Sequence, residues 1–317
     1  MSMDLPKSKI EVEENVDIRP HTTFGVGGVV RYFVEVGSSR DAVLAINFAK
    51  KNKIPYVIIA GGSNLVFGDG LLNMLVIKII TPVKVSSYIS VKNNEVVCDA
   101  SVSLMDLVSF TISRGLCGLE ALSGIPGTVG GALVGNAGAY GQTISGPLKE
   151  LEIFDGKKIR RLSKKECEFT YRDSIFKRKS WIVLSLSFSM PSGDREELEK
   201  KSREIIETRN KKYIPGIKCP GSFFKNILIE NVPKTSLKFL SKDRDYYGKV
   251  PAWYFLDQVG ARGMVEGGIK IADFHGNLLM NTGRATFKDV YTLAERLKSL
   301  VKEKFGIILE EEIRYIK

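Results

Sequence analysis

Five stretches of this 317-residue chain carry side chains or backbone suited to chemistry. The densest is Gly118–Gly141, GLEALSGIPGTVGGALVGNAGAYG, with glycine at 118, 124, 127, 130, 131, 135, 138 and 141. Glycine lets backbone approach a ligand closely, at an entropic cost on folding. So dense a run, with Pro126 setting one turn, points to amide N–H groups lining a phosphate-bearing cofactor; a tight connection that binds nothing is the alternative. Gly61-Gly62-Ser63-Asn64 follows the apolar run Tyr56–Ala60 directly and offers amides and two small polar side chains, which suits a pyrophosphate. In Tyr171-Arg172-Asp173-Ser174, the guanidinium either clamps a carboxylate or pairs with Asp173 on the surface. Ser222 lies between Gly221 and two phenylalanines; with only His21 and His275 in the chain and no G-x-S-x-G, acyl transfer is disfavoured, leaving a proton-donating serine or a turn serine. Near the C-terminus, LEEEIRYI read as a strand places Glu310, Glu312 and Arg314 on one face and Leu309, Ile313 and Tyr315 on the other.

The elements that must position these residues read as α+β. A strand is expected over Val30–Val36, and a helix over about 40–52 capped by Ser38 or Ser39. After Gly61–Asn64 the chain continues in strand style through Leu75–Ile80 instead of entering a helix, so the dinucleotide signature of a parallel βαβ unit is absent. Strands are expected around Val83–Val91 and Glu95–Ala100, then a helix from Leu104 to Arg114 opened by Ser103 and closed by Gly115. Further strands follow at Leu151–Phe154, Lys158–Leu162 and Trp181–Met190, with a short SKKECEF helix among them. A charged helix, about Asp194–Lys212, reads as the boundary to a second α+β unit. That unit holds a helix near Trp253–Val259, strands near Gly267–Ile271 and Leu278–Asn281, a long helix Thr286–Phe305 and a last strand Ile307–Ile316. The implied division is 1–192, with lobes of about 1–80 and 81–192, and 193–317.

Composition narrows the classes. With 44% hydrophobic residues the chain can bury more than one core. A net charge of +11 favours anionic partners, yet the basic residues come as scattered pairs such as Lys50-Lys51 and Lys200-Lys201, so no nucleic-acid track is expected. Cys98, Cys117, Cys167 and Cys219 form no CxxC pair, and two histidines exclude a histidine-rich metal site. The first residues lack a signal-peptide core, and no apolar run approaches the ~18 residues a membrane span needs. A reduced, cytoplasmic protein with no membrane insertion is expected.

Taken in order, HTTFGVGG, AGGSN, the glycine-rich stretch, YRDSIFK, GSFFKN, QVGARGMVEGG and LEEEIR resemble the UDP-N-acetylenolpyruvoylglucosamine reductases, the MurB family, from about Asn15 to Ile316. The resemblance implies a two-lobed FAD-binding region of the vanillyl-alcohol oxidase and p-cresol methylhydroxylase type, with a separate substrate domain. It also implies NADPH-driven reduction of the enolpyruvyl ether of UDP-N-acetylglucosamine to UDP-N-acetylmuramate. FAD is then expected at Gly61, Gly62, Ser63 and Asn64 and along Ile125, Pro126, Gly127, Thr128, Gly130, Asn136, Ala137, Gly138 and Ala139. By the same resemblance Arg172, Ser222 and Glu312 are catalytic, Ser222 as proton donor, and Tyr171, Lys212, Lys225, Asn226 and His275 line the substrate. The tyrosine-bearing insertion of some members is absent here, which marks the shorter subtype.

Two other readings stand beside it: a sugar or alcohol oxidase on the same FAD fold, and a basic nucleic-acid-binding module. The protein incubated with FAD is expected to show flavin absorption bands; a colourless protein would reject both enzyme readings.

Overall fold

The computed structural model describes residues 11–212, 216–241 and 248–317. Its local structure follows from capping and periodicity. Ser38 accepts the Asp41 amide and opens the helix Ser39–Lys51, whose buried Ala42, Ala45, Ile46 and Ala49 recur at one helical face. Ser103 likewise opens Leu104–Ser113, and Gly115 follows at φ 64°. Thr286 caps Phe287–Phe305 in a reciprocal box with Asp289, and Gly306 closes it in the left-handed conformation. The short SKKECEF helix appears as a 3₁₀ turn, Lys164–Cys167.

Two compact units result. The first holds residues 11–16, 30–61 and 73–212, and the second 17–29, 62–72, 216–241 and 248–317. Helices and strands occur in both, so the fold is α+β.

The first unit is built on two sheets. One has strand order Glu13–Asp17, Val29–Val36, Leu71–Ile79, Tyr56–Ile59, the last pair parallel. The other is a five-stranded antiparallel sheet ordered Ile159–Ser163, Leu148–Phe154, Ile182–Ser189, Glu95–Asp99, Ile89–Lys92. Ser39, at the start of the first helix, donates to both Asp99 and the Leu184 carbonyl. Phe154, Ile182 and Leu184 of the second sheet share a buried cluster with the Ala42 face of that helix.

Sequence expectation fails at two strands. Val83 is fully exposed; the segment forms a 3₁₀ turn, Val85–Ser87, and only Ile89–Lys92 pairs, before a turn with Asn93 and Asn94 both at positive φ. A β-branched residue with no sheet neighbour gains nothing from strand geometry. The expected last strand, Ile307–Ile316, is mostly irregular: Glu311 makes one bridge to Phe224, and only Arg314–Ile316 pairs, in parallel with Leu65–Phe67.

The charged helix Arg195–Lys212 belongs to the first unit instead of opening the second. Its buried Leu198 and Ile205 lie one heptad apart, its Ser202 hydroxyl meets Ser123 at 2.7 Å, and its Lys201 bonds the buried Glu120 carboxylate at 2.9 Å. Glu120 also accepts from the Gly118 amide and from Gln142, both at 2.7 Å, so it ties the start of the glycine-rich stretch to this helix.

Burial opposes ionisation of Glu120, but Lys201, the Gly118 amide and Gln142 outweigh it and hold its pKa at about 2. The folded value lies below the ordinary carboxyl value of about 4.3, so the stabilisation is present above that pH and is lost as pH falls towards 2. Glu120→Gln is expected to cost about 1–3 kcal/mol at neutral pH. In denaturant unfolding the gap to the parent should narrow as pH falls from 5 towards 2; a gap independent of pH would contradict the role of the charge.

Candidate functional site

Within the second unit the Ser222 segment is held from both sides. Phe223 and Phe224 are fully buried and in edge-to-face contact at 5.1 Å. The Phe223 carbonyl accepts from the Glu312 amide at 2.8 Å, and the Lys225 amide donates to the Glu310 carbonyl at 2.8 Å. Ser222 and Glu312, far apart in sequence, are thereby brought to neighbouring backbone positions. From the other side, the Phe223 amide donates to the Asn277 carbonyl, and the Asn277 side chain bonds both the amide and the carbonyl of Phe224 at 2.8 Å.

The loop Gly62–Asn64 belongs to this unit. Asn64, at φ 61°, donates its amide to the Pro220 carbonyl and accepts the Arg314 amide at its own carbonyl. One residue therefore anchors the chain just before Ser222 and just after Glu312. Gly62 lies against the His21–Thr22 backbone, where a Cβ would fall 2.2 Å from the His21 oxygen. The Thr23 hydroxyl completes the attachment by donating to the Cys219 carbonyl at 2.9 Å.

The residues expected to line substrate divide by local role. Lys225 is paired with Glu310 at 2.8 Å. Asn226 accepts the Ala252 amide, the first N–H of the helix Ala252–Gln258. His275 accepts the Asn277 amide at Nδ1, with its ring 6.3 Å from Trp253. Lys212 ends the helix Arg195–Lys212, and its side chain lies outside the described residues.

Arg172 and Tyr171 stand in the first unit, as does Gly61. Arg172 sits at φ 55° in a turn closed by mutual backbone bonds of Thr170 and Asp173, with Lys177 donating to its carbonyl at 2.6 Å. Asp173 pairs with Arg178, and Arg172 lies 5.7 Å from the Tyr171 ring centroid. A non-glycine residue in the left-handed region costs on the order of 1 kcal/mol, and the surrounding bonds enforce it here. The turn is also fastened to the glycine-rich stretch: the Asn136 side chain donates to the Thr170 carbonyl at 2.8 Å, and Ser174 to the Val134 carbonyl at 2.7 Å.

In that stretch, Thr128 caps the short helix Val129–Val134. The Val129 and Gly130 amides are committed to the Val102 and Ala100 carbonyls, and a Cβ on Gly130 would meet Ala100 at 2.9 Å. Gly130 is thus required by packing as much as by any ligand. Gly61 approaches the same stretch, its Cβ direction facing the Gly127 Cα at 3.7 Å. Among the described residues, the Gly127 and Thr128 amides donate to no protein acceptor. Asn136 Oδ1 and Ser101 Oγ are buried side-chain oxygens lacking a protein partner. Ser101 escaped the sequence reading because nothing but its neighbours' pairing with the glycine run marks it. Asn277 escaped it because a single asparagine after His275-Gly276 carries no motif.

The family model for the C-terminal domain of UDP-N-acetylenolpyruvoylglucosamine reductase matches residues 214–316, and that for an FAD-binding domain matches residues 30–155. The reductase of Solibacter usitatus is 40% identical over 308 residues, covering 97% of both chains. That of Caldanaerobacter subterraneus is 33% identical, covering 95% of this chain and 92% of its own. This chain belongs to the UDP-N-acetylenolpyruvoylglucosamine reductase family. The crystal structure of the Thermus caldophilus member superposes with a TM-score of 0.73 at 28% identity, covering 97% of this chain and all of that one.

The residues of the first unit fit the family's FAD on physical grounds. Unengaged amides at Gly127 and Thr128 are donors of the kind a diphosphate takes, and the buried Asn136 oxygen is an acceptor suited to an N–H of the flavin or adenine ring. Two glycine substitutions separate backbone necessity from open space. Gly62→Ala is expected to cost at least about 2 kcal/mol, from positive φ and the backbone clash together. Gly61→Ala, with only ordinary contact ahead of its Cβ, should leave unfolding by denaturant nearly unchanged.

Proposed function

We propose that Ser222, Arg172 and Glu312 carry the reaction of this FAD-dependent enzyme, which uses NADPH to reduce UDP-N-acetylglucosamine enolpyruvate to UDP-N-acetylmuramate for peptidoglycan precursor synthesis. The observation that carries the reading is the bond from the Glu312 amide to the Phe223 carbonyl, which sets the Ser222 and Glu312 segments side by side. When bound, FAD supplies the two-electron carrier between NADPH and the enolpyruvyl double bond. Gly61, Gly62, Ser63 and Asn64 and the Ile125–Ala139 segment hold it, with Asn136 Oδ1 as an acceptor and Gly127 and Thr128 as donors.

Hydride addition to the methylene carbon leaves negative charge on the carbon next to the substrate carboxylate. Arg172, held in a strained turn, stabilises that charge through charge-assisted hydrogen bonds. Ser222 Oγ then gives its proton to the carbanionic carbon. A serine hydroxyl suffices as the acid because such a carbon is more basic than an alkoxide. Glu312 orients the reacting groups. Tyr171, Lys212, Lys225, Asn226 and His275 form the proposed substrate contacts; the Glu310 carboxylate on Lys225 offsets part of its charge, so Lys225 meets a diphosphate only by sharing that cation or exchanging its partner. The protein acts in the cytoplasm, where UDP-linked precursors are made; among the described residues no helix is long and apolar enough to cross a membrane. The oxidase alternative is disfavoured by family membership.

Ser222→Ala is expected to leave flavin reduction by NADPH unchanged and to slow reoxidation by the enolpyruvyl substrate by about 100-fold or more, in line with loss of a general acid. Anaerobic stopped-flow absorbance reads both half-reactions; a normal second half-reaction would remove Ser222 from the donor role.

A further inference from the structure

We infer that Asn277, two residues before the strand Leu279–Asn281, is a positioning residue for proton delivery by Ser222. The inference rests on the reading of Ser222 as the donor. Phe223 and Phe224 present four backbone polar groups where no water reaches, both residues being fully buried. Three of the four are satisfied by Asn277: its carbonyl takes the Phe223 amide at 3.1 Å, its Oδ1 takes the Phe224 amide at 2.8 Å, and its Nδ2 donates to the Phe224 carbonyl at 2.8 Å. The fourth, the Phe223 carbonyl, takes the Glu312 amide at 2.8 Å. Asn277 is itself only 2% exposed, so its amide has no competing solvent. Its orientation is unambiguous, because Phe224 demands an acceptor opposite its N–H and a donor opposite its carbonyl.

The consequence is geometric. Ser222 follows Gly221, which sits at φ 95° and offers little resistance to rotation between the serine and the Asn64-anchored Pro220, so the backbone bonds on the C-terminal side bear directly on where the serine sits. That side is clamped by Asn277 on one edge and Glu312 on the other. Asn277 is in turn held from outside: its amide bonds His275 Nδ1, and Gly276 packs so closely on Asp257 that a Cβ would fall 2.2 Å from the carboxylate. Loss of the Asn277 side-chain pair frees Phe224 and lets the Ser222 hydroxyl move relative to Glu312. Misplacement of a reacting group by about 1 Å costs on the order of 100-fold in rate.

The test is Asn277→Asp in the full chain. It keeps the acceptor and the volume and removes the donor to the Phe224 carbonyl. With FAD bound, flavin reduction by NADPH is expected to change little while reoxidation by the enolpyruvyl substrate slows on the order of 100-fold. In the FAD-free protein, hydrogen exchange at the Glu312 amide is expected to accelerate while the melting temperature shows the variant folded. The double variant with Ser222→Ala should be no slower in the second half-reaction than Ser222→Ala alone, since both act through one proton. Equal slowing of both half-reactions, no slowing, or an additive double variant would each overturn the inference. Should Asn277→Asp not fold, Asn277→Ser takes its place, and failure of both to fold makes Asn277 a folding residue and overturns the inference too. A normal second half-reaction in Ser222→Ala alone is a different result: it removes the donor reading itself.

Discussion

The buried backbone of Phe223 and Phe224 is the constraint on which the second unit depends. Two fully buried aromatic residues in an irregular segment cannot leave their amides and carbonyls unpaired, because each orphaned group would cost about 1–3 kcal/mol. The solution draws residues 310–312 to one side and Asn277 to the other. A hydroxyl and a carboxylate separated by most of the C-terminal domain are therefore carried on segments fixed side by side by main-chain satisfaction. Asn64 extends the same logic, taking Pro220 and Arg314 with one amide and one carbonyl.

A second device works in the first unit. Arg172 is held in a left-handed turn by the Thr170–Asp173 bonds and by Lys177, and Asn136 and Ser174 fasten that turn to the glycine-rich stretch. One side chain of the glycine-rich stretch, Asn136, thus also sets the geometry of a proposed catalytic residue. Glu120 anchors the start of the stretch with three donors, which lets a run rich in glycine keep one conformation despite its entropy.

The identity of most elements was legible in the chain. Ser38, Ser103 and Thr286 open helices where capping chemistry says they should, and Gly115 and Gly306 follow two of them at positive φ. The segments that misled were Val83–Val91 and Ile307–Ile316, both with strand composition. Strand propensity measures the gain from packing on a pleated surface; residues 83–87 have no sheet neighbour among the described residues, and residues 307–316 are divided between two different partners, the Phe224 segment and Leu65–Phe67, so neither forms one continuous strand. The charged helix falls in the first unit, since Leu198 joins that unit's core and Ser202 and Lys201 bond Ser123 and Glu120.

The sequence by itself determined the chemistry on offer: a glycine-dense run, a lone arginine turn, a serine between glycine and phenylalanines, and a carboxylate near the C-terminus, in an order that matches one family. Those are local facts, written in residue type and spacing. Only the tertiary structure decided which residues hold the others. Asn277 and Ser101 carry no motif, Lys225 reads as a free cation until Glu310 is found beside it, and the packing demand on Gly130 is not seen until Ala100 is found against it. Hydrogen-bond satisfaction and close packing join residues distant in sequence, and no periodicity within a short window records them.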